Sequence, residues 1–381
     1  MNIFYWSPHF SHIATINAVK NSAESLERYS KYNYQTSIIN AVGEWSNNKI
    51  ENSKLIHLSK KNYYLFFPKY GFFFSRVFYI FVFIKCFFSL KKLLEKNKPD
   101  FLIIHLITSL PLVLLIIFNF KTKFILRISG YPKLNFFRRY LWKLASKKLF
   151  MVTSPSINTM NLLQQSNIFD YSKIKLLYDP VFKIRKIISL KLEKNDFVFD
   201  QNKKYIFSAG RLTKQKNFKL LIDFFFEVKK NYKDYKLLIA GNGEQDIFLK
   251  KLVAKYRLDN DIYFLGFVDN VYKYLYSSEC FISTSLWEDP GFIIIEAGVV
   301  NKNIISSDCP NGPAELLNNS KNGYLFGNNN KFDLLKKFYE FHYDTAESRN
   351  KKKINAKKFF KRYSVVSHYF QFNKILSINN G

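Results

Sequence analysis

Cysteine is scarce in this sequence, with three residues in a chain of 381. Cys86, Cys280 and Cys309 have no paired spacing, which argues against a disulfide framework and against a cysteine-rich zinc site. The six histidines show no spacing that would place a metal pair on one helix, so we expect no metal or other cofactor. The first residues, 1–6, lack a basic region, a long apolar core and a cleavage site, and they predict a strand rather than a signal peptide. A reducing cytoplasm fits these absences.

Glycine and proline are also infrequent, at 13 and 10 residues, while 48% of the chain is hydrophobic. This composition indicates a folded protein, and the length is sufficient for two domains. Acidic residues are few, 29 against 59 Lys and Arg, which gives a net charge of +30. Such a charge attracts an anionic partner: a nucleic acid, a phosphate-bearing small molecule or an acidic membrane surface. The 18% aromatic content favours a membrane interface.

Two long apolar runs are candidates for segments that enter a membrane. Phe72–Leu90 approaches the roughly 20 residues of a transmembrane helix. Its charged residues, Arg76 and Lys85, would be costly in the middle of a bilayer but suit a helix at the interface, where they can reach lipid phosphates. Peripheral attachment is therefore favoured over a span, which stays open as an alternative. The second run, Phe101–Phe118, is interrupted by polar residues and Pro111, which divide it into a strand and a helix.

Strand-like and helix-like runs alternate along the chain, and this alternation predicts parallel sheets covered by helices. The first series predicts a domain over 1–182, followed by a charged linker over 183–203. A second series predicts a domain over 204–360, with a tail, 361–381, that returns to the first domain. The predicted fold class is α/β, with two Rossmann-like domains facing each other across a cleft. In such sheets ligands bind beyond the carboxyl ends of the strands, so the chemistry is expected in those loops.

The most informative segment contains two carboxylates, Glu288 and Glu296, separated by a proline-glycine break and an apolar run. The break predicts a loop around Glu288 and a buried helix over 292–300 that carries Glu296. Three free N–H groups would lie beside the acids, those of Gly291, Phe292 and Ile293. Together they suit a ligand that is part phosphate and part polyol. Acidic residues also occur near helix N-termini simply because they complement the dipole, and the segment alone leaves that alternative open.

Glycines and cations follow the other strands of the second series. Gly210 permits a close turn after the first of them, and Arg211 with Lys216 could clamp a diphosphate. In so basic a chain a single cation is usually a solvated surface residue, but its position at the end of a strand favours a function. Gly241 and Gly266 stand after the next two strands, where the backbone must turn sharply or approach a ligand. Each glycine is a weak signal by itself.

Taken in order, these segments resemble the retaining glycosyltransferases of family 4, which have the GT-B fold and include enzymes of bacterial polysaccharide and lipopolysaccharide biosynthesis. The resemblance covers about residues 204–326, and the joint occurrence of its motifs is more specific than any one of them. The motifs are Gly210-Arg211-Leu212 with Lys216, Ala240-Gly241-Asn242-Gly243, Leu265-Gly266-Phe267-Val268, the Glu288 and Glu296 pair, and Pro310-Asn311-Gly312-Pro313.

The resemblance implies that the nucleotide sugar binds the second domain. Arg211 and Lys216 would neutralise the diphosphate, Glu296 would hold the ribose, and Glu288 would contact hydroxyls of the transferred sugar. The implied donor-binding residues are Gly210, Arg211, Lys216, Gly241, Gly266, Phe267, Glu288, Gly291, Phe292, Ile293 and Glu296. The implied catalytic residues are His105, Glu288, Arg211 and Lys216. The departing phosphate would assist deprotonation of the acceptor, without a protein nucleophile or a metal.

The resemblance is thinner in the first domain, which it implies binds the acceptor. His105 ends the predicted strand 101–105 and resembles the family histidine that faces the donor sugar, although a histidine in an apolar run is more often a core residue. The loop after the first strand lacks the glycine pair of many relatives, so Ser11 and His12 are the candidates for acceptor contacts. Asp259-Asn260-Asp261 matches a metal-binding pattern, but it lies in a turn before a strand and no metal is expected there.

The expected reaction moves a hexose or N-acetylhexosamine from a nucleotide sugar, expected to be UDP-linked, to a polyprenyl-diphosphate-linked or other glycan acceptor in O-antigen or capsule assembly. The expected location is cytoplasmic, on the inner face of the cytoplasmic membrane, with its anionic surface as a partner. Two alternatives stay open. One is another GT-B enzyme, such as a nucleotide-sugar epimerase or a phosphorylase. The other is a basic nucleic-acid-binding protein, which the dispersed cations and the lack of a recognised module disfavour.

Overall fold

The computed structural model describes residues 1–10, 14–31, 33–48, 50, 52–68, 71–288 and 290–378. The chain divides into two compact units: Met1–Val181 with the segment from Val365 onward, and Phe182–Ser364. Residues 183–203, expected to be a linker, lie within the second unit and contain a helix. The C-terminal segment from Val365 belongs to the first unit.

The first unit contains a seven-stranded parallel sheet with the order β3-β2-β1-β4-β5-β6-β7. Its strands are β1 (Asn2–Trp6), β2 (Gln35–Asn40), β3 (Lys54–His57), β4 (Phe101–Ile104), β5 (Lys123–Arg127), β6 (Met151–Ser154) and β7 (Ile174–Leu176). Its helices are α1 (Ala14–Tyr29), α2 (Phe72–Asn97), α3 (Ser109–Ile117), α4 (Phe136–Ser146), α5 (Ile157–Gln165) and, at the end of the chain, α14 (Val365–Leu376).

Side chains of this sheet alternate between two cores, as the pleat of a strand requires. Phe4 and Trp6 of β1 point to the core that is shared with α2, α4 and α5, while Ile3 and Tyr5 point to the core shared with α1 and α14. Helices cover both faces of the sheet. The sequences of its strands are nearly continuous hydrophobic runs for this reason.

The second unit contains a six-stranded parallel sheet with the order β10-β9-β8-β11-β12-β13. Its strands are β8 (Lys204–Ala209), β9 (Tyr235–Ala240), β10 (Ile262–Gly266), β11 (Cys280–Ser283), β12 (Asn303–Asp308) and β13 (Tyr324–Gly327). Its helices are α6 (Ile184–Leu190), α7 (Phe218–Asn231), α8 (Asp246–Lys255), α9 (Val271–Ser277), α10 (Phe292–Val299), α11 (Pro313–Leu316), α12 (Lys331–Tyr343) and α13 (Ala346–Phe360). Two parallel sheets covered by helices confirm the predicted α/β class.

Candidate functional site

The carboxyl ends of β8, β9 and β10 bring three of the predicted glycine loops together. The Gly210 N–H donates to the carbonyl of Ala240 at 2.9 Å, and the Gly241 N–H donates to the carbonyl of Gly266 at 2.7 Å. A side chain at Gly241 would place its Cβ 1.9 Å from the carbonyl oxygen of Gly210. Gly241 is thus required by the contact between neighbouring loops, whatever ligand binds beside them.

Lys216 and Glu288 form an ion pair at this edge of the sheet. Lys216 lies in the turn after β8 and Glu288 in the loop after β11, and the Lys216 Nζ donates to Glu288 Oε1. The Ser285 hydroxyl donates to the same Oε1 at 2.6 Å. The Glu288 side chain is 6% exposed and that of Lys216 is 16% exposed, so the lysine is the more accessible partner.

Several contacts hold the lysine in place. A Cβ at Gly210 would lie 3.1 Å from Cε of Lys216, so the absent side chain leaves room for the aliphatic part of the lysine. The Thr284 hydroxyl lies 3.0 Å from the carbonyl oxygens of Lys216 and Asn217 and can donate to either of them. The turn after β8 is therefore attached to the end of β11, the next strand in the sheet.

Helix α10 begins beside Glu288. Gly291 precedes the helix with φ +101°, a conformation that side-chain-bearing residues rarely adopt. The first N–H groups of an α-helix lack intrahelical acceptors, and they carry the positive end of its dipole. The predicted amides of Gly291, Phe292 and Ile293 thus lie at a helix N-terminus next to a lysine and a glutamate, an arrangement suited to a phosphate.

Arg211 reaches the same loop indirectly. The side chain is exposed, and its Nη2 donates to Oε1 of Gln215 at 3.4 Å. Gln215 in turn donates through Nε2 to the carbonyl of Trp287 at 2.9 Å. Arg211 is therefore a cation at the rim of the site, and Gln215 connects it to the residue before Glu288.

Glu296 lies in the second turn of α10 and contacts α9. The Tyr272 hydroxyl donates to Glu296 Oε1 at 3.3 Å. Burial raises the pKa of Glu296 to about 7, against which the hydrogen bond from Tyr272 acts only in part. Burial, with the nearby Glu296 carboxyl, raises the pKa of Tyr272 well above its ordinary value, so Tyr272 stays a donor. The charge of Glu296 therefore changes near neutral pH.

The remaining donor-site candidates of the second unit are Gly266 and Phe267. Gly266 is the last residue of β10, and the Phe267 side chain that follows is 62% exposed. This ring therefore lies at the carboxyl end of a parallel strand, where ligands bind in such sheets.

His105, predicted as catalytic, lies in the first unit directly after β4. Its Nδ1 is 3.2 Å from the Ser129 hydroxyl, while Nε2 is buried and makes no hydrogen bond to the described residues. Burial, with Arg127 and His368 nearby, holds the pKa of His105 well below its ordinary value, so the ring is neutral at physiological pH. The acceptor candidates Ser11 and His12 lie outside the described residues.

Four residues that contact the candidate site were missed from the sequence: Gln215, Tyr272, Thr284 and Ser285. Thr284 and Ser285 follow β11 directly, so the rule that ligands bind beyond strand ends could have included them. Gln215 lies between Arg211 and Lys216, the two cations of its loop that were predicted to bind the diphosphate. Tyr272 gives no such signal, because only the packing of α9 against α10 brings it to Glu296.

The Asp259-Asn260-Asp261 segment, which matches a metal-binding pattern in the sequence, contributes a carboxylate to two ion pairs. The Asp261 carboxylate pairs with Lys229 at 2.9 Å and with Lys236 at 2.8 Å. It connects the end of α7 to the start of β9. Among the described residues no group of three or more His, Cys, Asp or Glu side chains could hold a metal ion.

Known proteins resemble this chain in sequence and in fold. Residues 191–359 match the family model described as Glycosyl transferases group 1. The chain is 28% identical to an uncharacterized glycosyltransferase of Methanocaldococcus jannaschii over 312 residues, which cover 74% of this chain and 71% of the relative. It is 28% identical over 255 residues, 64% of this chain and 68% of the relative, to the N-acetylgalactosamine-N,N'-diacetylbacillosaminyl-diphospho-undecaprenol 4-alpha-N-acetylgalactosaminyltransferase of Campylobacter jejuni.

Among solved structures, the chain is similar to Anabaena HepE in complex with UDP. The TM-score is 0.74 over 99% of both chains, at 16% sequence identity. At this identity the likeness shows the fold, which is GT-B. Together with the named relatives and the matched family model, this fold shows that the chain is a glycosyltransferase of the GT-B fold, and its residues 191–359 are similar to the Glycosyl transferases group 1 family.

Proposed function

We propose that this enzyme is a retaining glycosyltransferase of family 4 that moves a hexose or N-acetylhexosamine from a UDP-sugar to a polyprenyl-diphosphate-linked or other glycan acceptor. The observation that carries the proposal is the Lys216–Glu288 pair at the N-terminus of α10. The name of the Campylobacter relative specifies an undecaprenol diphosphate acceptor, and HepE was solved with UDP. Assembly of O-antigen, capsule or a related glycan on the cytoplasmic face of the membrane is the setting that these features favour.

The Lys216–Glu288 pair has further hydrogen-bond donors and acceptors for a nucleotide-sugar donor. An ammonium group has three N–H donors, and among the described residues Glu288 accepts one, so Lys216 retains two for the diphosphate. Both side-chain contacts that the described residues make to the Glu288 carboxylate fall on Oε1, which leaves Oε2 to accept from a sugar hydroxyl. As the bond to the sugar breaks, negative charge grows on the departing phosphate, and Lys216, Arg211 and the amides of α10 stabilise it.

Other residues position the substrates in this proposal. Glu296 accepts from the ribose hydroxyls, Phe267 contacts the base, and neutral His105 hydrogen-bonds the transferred sugar. The departing phosphate oxygen takes the proton of the acceptor on the face that it leaves, which retains the anomeric configuration. No metal or other cofactor is required, because cations of the protein neutralise the diphosphate.

Incubation with a panel of UDP-sugars and a short polyprenyl-diphosphate-linked acceptor tests this function. We expect transfer from one donor, undiminished by a chelator, and a product whose anomeric proton shows the donor's configuration by NMR. An inverted product would contradict retention. Interconversion of the free nucleotide sugar would identify an epimerase, and release of a sugar phosphate with inorganic phosphate as acceptor would identify a phosphorylase. Tight, salt-sensitive RNA or DNA binding without any effect of UDP-sugars would contradict the transferase altogether.

A further inference from the structure

Positive charge is concentrated in one part of the first unit. Residues 52–169 contain 19 Lys and Arg residues but only two acidic ones, Glu95 and Asp100. Their net charge of +17 is more than half of the chain's +30, in less than a third of its 381 residues. This part includes α2, α3 and α4, which cover one face of the sheet.

Helix α2 has two apolar faces. One face packs into the core through Phe78, Val82, Cys86, Leu90 and Leu94, which are spaced four residues apart and no more than 1% exposed. The helix is long and apolar enough to cross a membrane by length and composition. A span would require this whole row to leave the core, at a large cost in buried apolar area. The inner row therefore indicates that α2 stays on the unit.

The opposite face of α2 is uncovered. Its apolar residues follow one another at helical spacing and are between 40% and 76% exposed: Phe73, Val77, Ile80, Ile84 and Phe88. An exposed apolar row of this length is unusual for a soluble protein and marks an interaction surface.

Helix α4 repeats the arrangement. Trp142 and Ala145 hold its inner side in the core, while Phe136, Phe137 and Tyr140 are 76%, 82% and 61% exposed. These three rings lie in its first turns.

The two helices are neighbours through α3, which packs against both. Each of these two helices also carries an arginine, Arg76 in α2 and Arg138 in α4. Burial, together with the positive charge of Arg76, lowers the pKa of Arg138. Two guanidinium groups on neighbouring helices, in a segment nearly without carboxylates, favour an anionic partner at this surface.

We infer that the outer faces of α2 and α4 form one docking surface for an anionic lipid bilayer, a conclusion that rests on the membrane location proposed above. The aliphatic and aromatic side chains of Ile80, Ile84, Phe88, Phe136, Phe137 and Tyr140 enter the interface, and Arg76 with Arg138 binds lipid phosphates. α2 lies parallel to the bilayer, because its inner row of apolar side chains stays packed in the core of the first unit. A second copy of the chain is a poor occupant, because two such faces would bring like charges together. We name this surface the α2–α4 face.

Vesicle sedimentation with the full-length protein tests the α2–α4 face. We expect binding to vesicles of phosphatidylglycerol and phosphatidylcholine, little binding to phosphatidylcholine alone, and release by high salt. Phe136→Ser with Phe137→Ser should weaken binding by about tenfold or more, and Arg76→Gln with Arg138→Gln by about tenfold, mainly at low salt. The matched control is Phe332→Ser with Phe370→Ser, two phenylalanines that are 78% and 66% exposed elsewhere. It should bind vesicles like the wild type.

Three outcomes would overturn the inference. One is unchanged vesicle binding by the folded α4 variant, checked by its melting temperature. Another is binding that resists both high salt and alkaline carbonate, which would indicate a span. The third is concentration-dependent self-association that the α4 variant abolishes, with no vesicle binding. UDP-sugar turnover by the wild type without vesicles tests the proposed transfer separately, so failure of one proposal leaves the other measurable.

Discussion

Each unit contains a buried ion pair near the carboxyl ends of its strands, and the two pairs differ in what surrounds them. In the first unit, Arg127 is 2% exposed and its two terminal nitrogens donate to Asp179 Oδ1 and to the carbonyl of Leu177, both at 2.6 Å. In the second unit, Lys216 pairs with Glu288, but the lysine side chain is 16% exposed. Its ammonium group has more N–H donors than the one bound to Glu288. A buried cation that is bonded to internal acceptors holds the fold together, whereas a more exposed cation at a loop edge can also bind a ligand.

Loss of the Asp179 charge should have the largest effect, and it should fall on stability. Asp179→Asn leaves the buried Arg127 guanidinium without its counter-charge, and breaking one partner of such a pair costs about 3–5 kcal/mol. Chemical denaturation of the variant measures this loss. The control is Asp246→Asn, which removes an exposed pair with Lys250 and should cost less than about 1 kcal/mol. Equal losses in the two variants would erase the distinction between the pairs.

Removal of the Lys216 ammonium should affect activity more than stability. Lys216→Ala should lower kcat/KM for the UDP-sugar by about 100-fold or more, because the leaving diphosphate loses its main cation. Lys214→Ala is the matched control, since Lys214 lies in the same turn but is exposed. Activity like the wild type in the Lys216 variant would show that this pair is structural, as in the first unit.

A smaller, pH-dependent effect is expected at Glu296, whose pKa is raised to about 7. Because the ionised carboxylate accepts from the ribose, UDP affinity should fall several-fold as the pH is lowered from 8 to 6. Stability without ligand should change in the opposite direction. The folded state binds the proton more tightly than the unfolded chain, so this group destabilises the protein as pH rises from about 4.5 towards 7. Titration calorimetry of Glu296→Gln should show the slope in affinity removed, and a persistent slope would exclude Glu296 as its source.

The helices and strands predicted from the sequence match the structure more closely in the second unit than in the first. The apolar run over 204–209 predicts a strand and the pattern over 271–277 predicts a helix, and both have the same ends as β8 and α9. Here each buried strand is a short apolar run that ends at a turn residue. In the first unit, β3 is a half-exposed edge strand and β7 has only three residues, so neither has the apolar pattern on which the prediction depends.

The residues of the candidate site could be selected from the sequence, but the contacts between them could not be predicted. Lys216 and Glu288 were both selected, as separate contacts to diphosphate and sugar, because each follows a strand. Their direct pairing across 72 positions depends on the order of β8 and β11 in the sheet, which the alternation of elements does not specify. The contact of Glu296 with Tyr272 depends on helix packing and was not predictable either. The donor contact of Gly241 stays a prediction, and the structure adds a second reason for this glycine, since a side chain there would collide with the backbone of Gly210.

Hydrogen exchange of the full-length protein with and without UDP tests most directly whether the second unit holds the donor. With saturating UDP, we expect slower exchange of the amides in segments 210–217 and 291–296, the turn after β8 and the first turns of α10. The segments around Arg127 and Asp179 should exchange at the same rate in both samples. Slower exchange confined to the first unit, or no change where calorimetry shows UDP to be bound, would contradict the donor site at Lys216 and Glu288.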